Sequence, residues 1–321
     1  MSLEDHRLPT VSEIEAARER ISGVAVQTPL VDSPSLSRRF GREVYLKLEC
    51  FQPIRVFKIR GAYNKLSQTK EDSVVAVSSG NHGMATAFSA RAFGKSCTVI
   101  LPENPVQEKA DAIAEYGAKI LKYGKYHNER EAKAVELVKE TGAALIHPFN
   151  DPAVIAGQGT CGLEMAEQLS QFDSVVVPVG GGGLISGVAI ALKAKKPGVK
   201  VFGAEPTNAP KLEAALKAGR MTSVPDPRSI ADGLIAPSLG DLTFEACSKY
   251  VDGAFTVTDE EILAAMKIIV KEARIFPEPS AAASVAALLA GRNTDRLGKR
   301  IVFVISGGNV SQKLLAQVLT S

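Results

Sequence analysis

The sequence predicts an α/β fold of open, mostly parallel sheets flanked by helices. Short runs rich in β-branched residues alternate with longer amphipathic stretches, and the runs are apolar on both faces, as strands covered by crossover helices are. Two of these runs end directly in glycine clusters, where parallel sheets bind their ligands. At 321 residues, the chain is long enough for about two domains.

In chain order, strands are expected at residues 74–77, 97–101, 119–121, 174–179, 201–204 and 301–305, with helices between them. Val179 leads into Gly180-Gly181-Gly182-Gly183, and Ile305 into Ser306-Gly307-Gly308-Asn309. The carboxyl ends of such strands and the helix N-termini after them converge on one crevice and offer backbone donors to an anion. A helix is expected to begin near Gly61. Residues 221–241, with Pro225, Pro227 and Pro237, form the longest expected loop and carry the polar run 229–233. Residues 281–290 are rich in small apolar side chains and too few to cross a bilayer, so a buried helix is expected there.

The formal net charge of +3 is spread along the chain without a polybasic block. It gives no reason to expect nucleic acid or a membrane surface as partner, and a small anionic ligand is compatible with it. Cys50, Cys97, Cys161 and Cys247 lie far apart, without the paired spacing of a disulfide framework or zinc ribbon, and suit reduced thiols in a cytosol. The first ten residues are charged and lack an apolar core, so no secretory signal is expected and a cytoplasmic location is. His6, His127 and His147 have no metal-ligand spacing, and no metal is expected on them.

Three segments carry the chemistry. Val177-Pro178-Val179-Gly180-Gly181-Gly182-Gly183-Leu184 joins a strand to a helix through four glycines, so several backbone N–H groups can turn toward one phosphate. A ligand-free turn is the plain alternative. A dinucleotide fingerprint fits poorly, because Ser186 fills a position where it needs glycine. In Phe57-Lys58-Ile59-Arg60-Gly61-Ala62 a lysine stands beside an aromatic ring. Most lysines are solvated surface charges, whereas one that forms a Schiff base must be desolvated or near positive charge so that its amine can be neutral. Ser78-Ser79-Gly80-Asn81-His82-Gly83 follows a strand and opens a helix, with hydroxyls, an amide and backbone donors placed to hold a carboxylate. The same residues read equally as a serine cap with a turn glycine, His82 being structural.

Taken together and in this order, these segments and Ser306-Gly307-Gly308-Asn309 resemble the fold type II pyridoxal phosphate enzymes, a two-domain, tryptophan synthase beta-like class. Within it they are similar to the threonine dehydratase and serine racemase branch. The resemblance runs from Thr28-Pro29-Leu30 nearly to the end of the chain and includes Gly157-Gln158-Gly159-Thr160 and Glu278-Pro279-Ser280. It implies pyridoxal 5'-phosphate as cofactor, held by Lys58 as a Schiff base, with Phe57 against its ring and Asn81 on its phenolic oxygen. Gly180, Gly181, Gly182, Gly183 and Leu184 are implied to bind its phosphate, and Ser306 to face its pyridine nitrogen. A neutral hydroxyl there leaves the nitrogen largely unprotonated, which suits elimination over transamination. Ser78, Ser79, Asn81 and His82 are implied to hold the substrate carboxylate.

The implied reaction is β-elimination from threonine, serine or a related 3-hydroxy amino acid, giving a 2-oxo acid and ammonia, with Lys58 as the base at Cα. A racemase needs a second base on the opposite face. Ser79 matches the residue that serves so in serine racemases, but dehydratases of the branch keep a serine there, so it does not separate the two. Other rivals are a β-replacing synthase, whose family loop typically reads GTGGT where this chain has GGGGL, and a non-catalytic pyridoxal phosphate-binding protein.

Two departures from the family pattern stand out. Where relatives usually have Gly and then Ser or Ala before the Phe-Lys pair, this chain has Arg55 and Val56, which implies a different loop geometry and a fixed positive charge near the site. Arg55 either meets an acidic substrate side chain or points to solvent or another protein group. In Ala204-Glu205-Pro206-Thr207-Asn208-Ala209-Pro210-Lys211, relatives with a divalent cation site have an acidic ligand where Lys211 stands. An ammonium opposes a metal there, so no magnesium dependence is expected. The resemblance also implies a large cofactor-binding domain of residues 1–66 and 147–321, a small domain of residues 67–146 and a homodimer. With nothing after Ser321, feedback control of the biosynthetic threonine dehydratase kind is not expected.

Overall fold

The structure, a computed structural model, describes residues 6–78 and 80–320. Helix α1 (Val11–Ile21), opened by a Thr10–Glu13 capping box, precedes β1 (Leu30–Asp32), α2 (Pro34–Phe40), β2 (Glu43–Lys47) and α3 (Lys58–Leu66). There follow β3 (Ser73–Val77), α4 (Asn81–Ala92), β4 (Ser96–Leu101), α5 (Gln107–Ala114), β5 (Lys119–Lys122), α6 (His127–Thr141) and β6 (Ala144–Leu145). Next come α7 (Pro152–Gln168), β7 (Ser174–Pro178), α8 (Gly183–Lys195), β8 (Lys200–Pro206), α9 (Lys211–Ala218) and α10 (Asp241–Tyr250). The order ends with β9 (Gly253–Val257), α11 (Asp259–Ile268), α12 (Pro279–Leu289), β10 (Arg300–Val304) and α13 (Gln312–Thr320).

The strands form a six-stranded sheet, β1-β2-β10-β7-β8-β9, and a four-stranded sheet, β5-β4-β3-β6. Every pairing is parallel except β1 with β2. The expected α/β class is therefore observed. Each residue of β7 is buried, and α8 and α12 are apolar almost all round, the composition of elements covered on every side. Among the described residues no helix is long and apolar enough to cross a membrane.

All six expected strands are present. The sequence reading did not place β1, β2, β6 and β9. β1 and β6 are only three and two residues long. β9 is a half-covered strand on the sheet edge. β2 carries Glu43 and Lys47, and Lys47 is buried in an ion network that no local pattern announces. Helix α3 starts at Lys58 rather than near Gly61. Gly61 sits inside it because α7 comes so close: a Cβ on Gly61 would collide with the Gln158 amide, and one on Gly157 with the backbone of Arg60 and Gly61. Residues 221–241 are largely irregular, as expected, apart from a single turn of 3₁₀ helix at Asp232–Leu234.

Candidate active site

Because β10 lies between β2 and β7, the chain segments leaving these three strands emerge side by side. The segment after β2 is laced to the one after β10. Cys50 N–H donates to Ile305 O (3.1 Å), Phe57 N–H to Ser306 O (3.0 Å) and Gly308 N–H to Arg55 O (2.9 Å). Lys58 thus enters the crevice next to Ser306, with its Nζ 5.2 Å from the centre of the Phe57 ring.

Lys58 Nζ donates to Pro148 O at 2.7 Å. Burial pushes its pKa down to about 8, since no carboxylate offsets the loss of water. That is the property the sequence reading required of a Schiff-base lysine. The segment that holds it, His147-Pro148-Phe149-Asn150, was not singled out from the sequence. His147 Nδ1 accepts the N–H groups of Phe149 (3.2 Å) and Asn150 (2.8 Å), and burial lowers its pKa to about 4, so the ring is a neutral acceptor that folds the segment into a tight turn. The only signal in the sequence was a His-Pro pair following a short strand.

The same turn meets the glycine run. A Cβ on Gly181 would fall within the Phe149 ring, one on Gly183 would press on Phe149, and one on Gly180 would strike Gly233 O. Gly182 has φ 92°, a conformation that side chains rarely adopt. The glycines are thus demanded by protein packed against their flanks. Meanwhile the N–H groups of Gly180, Gly181, Gly182, Gly183 and Leu184 have no protein acceptor among the described residues, at the start of a thirteen-residue helix. A phosphate suits such a run, because its oxygens accept from several converging donors and the helix end favours negative charge. A near-neutral amine and a row of free donors together fit a cofactor that is an aldehyde at one end and a phosphate at the other.

Asn81 opens α4 and ties the two sheets together. Its Nδ2 donates to both Glu278 carboxylate oxygens (2.9 and 3.0 Å), and its Oδ1 accepts from Asn309 Nδ2 (2.8 Å). Burial pushes the Glu278 carboxyl up to about 7, against the lowering effect of Asn81. Ser78 Oγ accepts Gly80 N–H at 3.3 Å, and buried His82 places Nε2 2.8 Å from Ile146 O. Burial first, and then the Lys58 charge, lower the His82 pKa to about 3, so its ring is neutral and lies within reach of the lysine's field. Ser79, expected as a second catalytic group and carboxylate ligand, lies outside the described residues.

Behind α3 lies a buried ion network. Arg60 donates to Glu49 through Nε (2.7 Å) and Nη2 (2.8 Å), and to Glu164 through Nη1 (2.6 Å) and Nη2 (2.8 Å). Lys47 Nζ bonds Glu164, Thr28 O (2.8 Å) and Gln168 Oε1 (2.9 Å), while Thr28 Oγ1 donates to Glu49 at 2.6 Å. Thr160 Oγ1 accepts from Arg60 at 3.0 Å, so the Gly157-Gln158-Gly159-Thr160 motif seats α3 from behind. The Gln158 amide is buried without a hydrogen-bond partner, for which the structure offers no explanation.

Arg55 has φ 60°. The turn therefore adopts a conformation glycine takes freely, here held by an exposed arginine whose Nε lies over Gly308. Lys211 is buried, with its Nζ directed at Glu205 Oε2, Ala209 O and Leu234 O, so its side chain fills the space between these oxygens. These residues do not fit a metal.

Comparison with known proteins follows the same lines. The family model described as "Pyridoxal-phosphate dependent enzyme" matches residues 21–307. The L-threonine ammonia-lyase of Thermotoga maritima is 41% identical over 314 residues, covering 97% of this chain and 78% of that one. The L-threo-3-hydroxyaspartate ammonia-lyase of Saccharomyces cerevisiae is 37% identical, covering 98% and 97%. Among solved structures, maize serine racemase superimposes with a TM-score of 0.92 at 36% identity, covering 97% of each chain.

Proposed function

The chain belongs to the family of pyridoxal-phosphate dependent enzymes, and from that premise we propose that it is an ammonia-lyase converting a small β-hydroxy amino acid to a 2-oxo acid and ammonia. The observation that carries the reading is Lys58, an amine drawn toward neutrality whose Nζ bonds Pro148 O, the neighbour of the Phe149 ring that packs against the glycine run and its free N–H groups. When bound, pyridoxal phosphate supplies the electron sink that stabilises negative charge at the amino acid Cα. With a pKa of about 8, Lys58 is partly free base near neutral pH and can take up and hold a proton at Nζ, oriented by Pro148 O. Gly180 to Leu184 would hold the phosphate, Phe57 would lie against the ring and Ser306 would face the pyridine nitrogen. Asn81, whose amide here bonds Glu278 and Asn309, would turn its Nδ2 from Glu278 to donate to the phenolic oxygen. Ser78, Ser79, Asn81 and His82 would hold the substrate carboxylate.

Arg55 selects for an acidic side chain in this reading. Its guanidinium lies over Gly308, at the mouth of the segment that carries Ser306, and a hydroxyaspartate ammonia-lyase is among the relatives. The test is a panel of serine, threonine and 3-hydroxyaspartate scored for 2-oxo acid release by the wild type, Lys58→Ala and Arg55→Gly. Undiminished turnover by Lys58→Ala sinks the lyase reading, and an unchanged substrate preference in Arg55→Gly sinks the role of Arg55.

Racemisation is the second reading, favoured by the likeness to maize serine racemase. Chiral analysis of unreacted substrate separates it from elimination. The proposal includes a division into a large domain of residues 1–66 and 147–321 and a small one of residues 67–146, supported by the strands of the four-stranded sheet, which all lie between residues 73 and 145. It also includes a cytoplasmic homodimer. Four buried, unpaired cysteines suit a reducing compartment, and sedimentation measures the assembly.

A further inference from the structure

Lys211 is the first residue of α9, where a cation opposes the helix dipole, so its charge is not there for the helix. Glu205 caps that helix instead, accepting the N–H groups of Leu212 (3.0 Å) and Glu213 (2.8 Å). Lys211 Nζ lies 3.2 Å from Glu205 Oε2, 3.0 Å from Ala209 O and 2.9 Å from Leu234 O, with both charged side chains fully buried. The ammonium form provides one hydrogen for each of these three acceptors. Burial pulls the Lys211 pKa down and the Glu205 pKa up; opposing it, the Lys211 charge and the Leu212 and Glu213 N–H groups all favour the ionised carboxylate and so the ammonium beside it. One carboxylate and two main-chain carbonyls from separate segments are the ligand set of a cation site.

What that cation holds in place is next to the glycine run. Leu234 ends the turn Asp232–Leu234. Its neighbour Gly233 donates N–H to Ser280 Oγ (3.1 Å) and packs its carbonyl against Gly180.

We propose that the Lys211 ammonium is a tethered cation that replaces a diffusible one in a three-oxygen site, and that it is a positioning residue holding the Asp232–Leu234 turn against Gly180 for phosphate binding. Because the cation is covalently attached, the glycine run is set at any concentration of free cations. The inference rests on reading Gly180 to Leu184 as the phosphate-binding segment.

The experiment titrates apo-protein with pyridoxal phosphate, following absorbance, and records the melting temperature of the apo-protein. Wild type, Lys211→Ala and Lys211→Met are compared in choline, ammonium, potassium and magnesium chlorides. Wild type is expected to bind the cofactor equally in all four salts and after chelation. Lys211→Ala, which empties the site, loses about tenfold or more in affinity in choline chloride. It recovers most of this, together with melting temperature, in at least one of the other three salts. Lys211→Met, which refills the space without charge, is weakened and does not recover. Wild-type affinity in Lys211→Ala, equal recovery in choline, recovery in none, or a Lys211→Ala protein insoluble in every salt each overturns the inference. A wild type that binds no cofactor overturns the functional reading instead, so the two failures are distinct.

Discussion

Arg60→Met tests the network that anchors the lysine helix. Residues 58 and 60 of a helix point to nearly opposite sides, so Lys58 can face the crevice while Arg60 is buried behind it. The network balances two cations, Lys47 and Arg60, against two carboxylates, Glu49 and Glu164. Methionine fills much of the space but leaves two buried carboxylates sharing one lysine. Stranding a buried charge costs roughly 3–5 kcal/mol. With an m-value of roughly 3–4 kcal/mol/M for a chain of this size, the urea midpoint at pH 7 should fall by about 1 M. A pH series makes the assignment specific. Burial alone would raise the Glu49 pKa, but the charge and hydrogen bonds of Arg60 outweigh it and hold the carboxyl below its ordinary range. A depressed carboxyl contributes stability above its unfolded pKa and loses it as pH falls below about 4.3. Without Arg60, protonation relieves the stranded charge, so the gap between wild type and variant should narrow as pH falls below that value. A gap under about 1 kcal/mol at pH 7, or one as wide at pH 3.5 as at pH 7, would refute the reasoning.

Three further predictions follow from the crevice. Cofactor uptake by the apo-protein should speed up with a midpoint near pH 8, where Lys58 becomes free base, and stopped-flow absorbance that shows no change between pH 6.5 and 9 contradicts this. Glu278 is held at about 7, so its burial costs stability increasingly as pH rises from the ordinary 4.5 to 7; apo Glu278→Gln should gain on wild type over that window by something on the order of 3 kcal/mol, read from urea unfolding at both ends. Gly181→Ala drives a methyl into the Phe149 ring, at a cost of about 1–3 kcal/mol with weakened cofactor binding; adding Phe149→Leu should restore part of both, and no restoration means the collision lies elsewhere.

What the sequence made legible was local. The buried parallel strands, the glycine run and the lysine segment each announce themselves in a few contiguous residues, and all appear where expected. The missing parts depend on residues far apart in the chain. Lys47 reads as a surface charge until Glu164, more than a hundred residues away, neutralises it. Pro148 and Phe149 reveal nothing until the fold sets one against Lys58 and the other against Gly181. Arg55 shows the converse: its sequence suggested an altered loop, yet the backbone takes the left-handed turn that glycine favours, because the flanking hydrogen bonds to Gln52 and Gly308 hold it there.

The last strand of the chain, β10, occupies the interior of the six-stranded sheet, between β2 and β7. The strand pair β1-β2 and the triplet β7-β8-β9 are therefore joined only through β10, so the six-stranded sheet cannot close before residue 304 is available. The four-stranded sheet, drawn from one continuous stretch, has no such wait. Until β10 arrives, the edges of β2 and β7 that it will pair are open strand edges, the kind of surface on which incomplete chains associate wrongly.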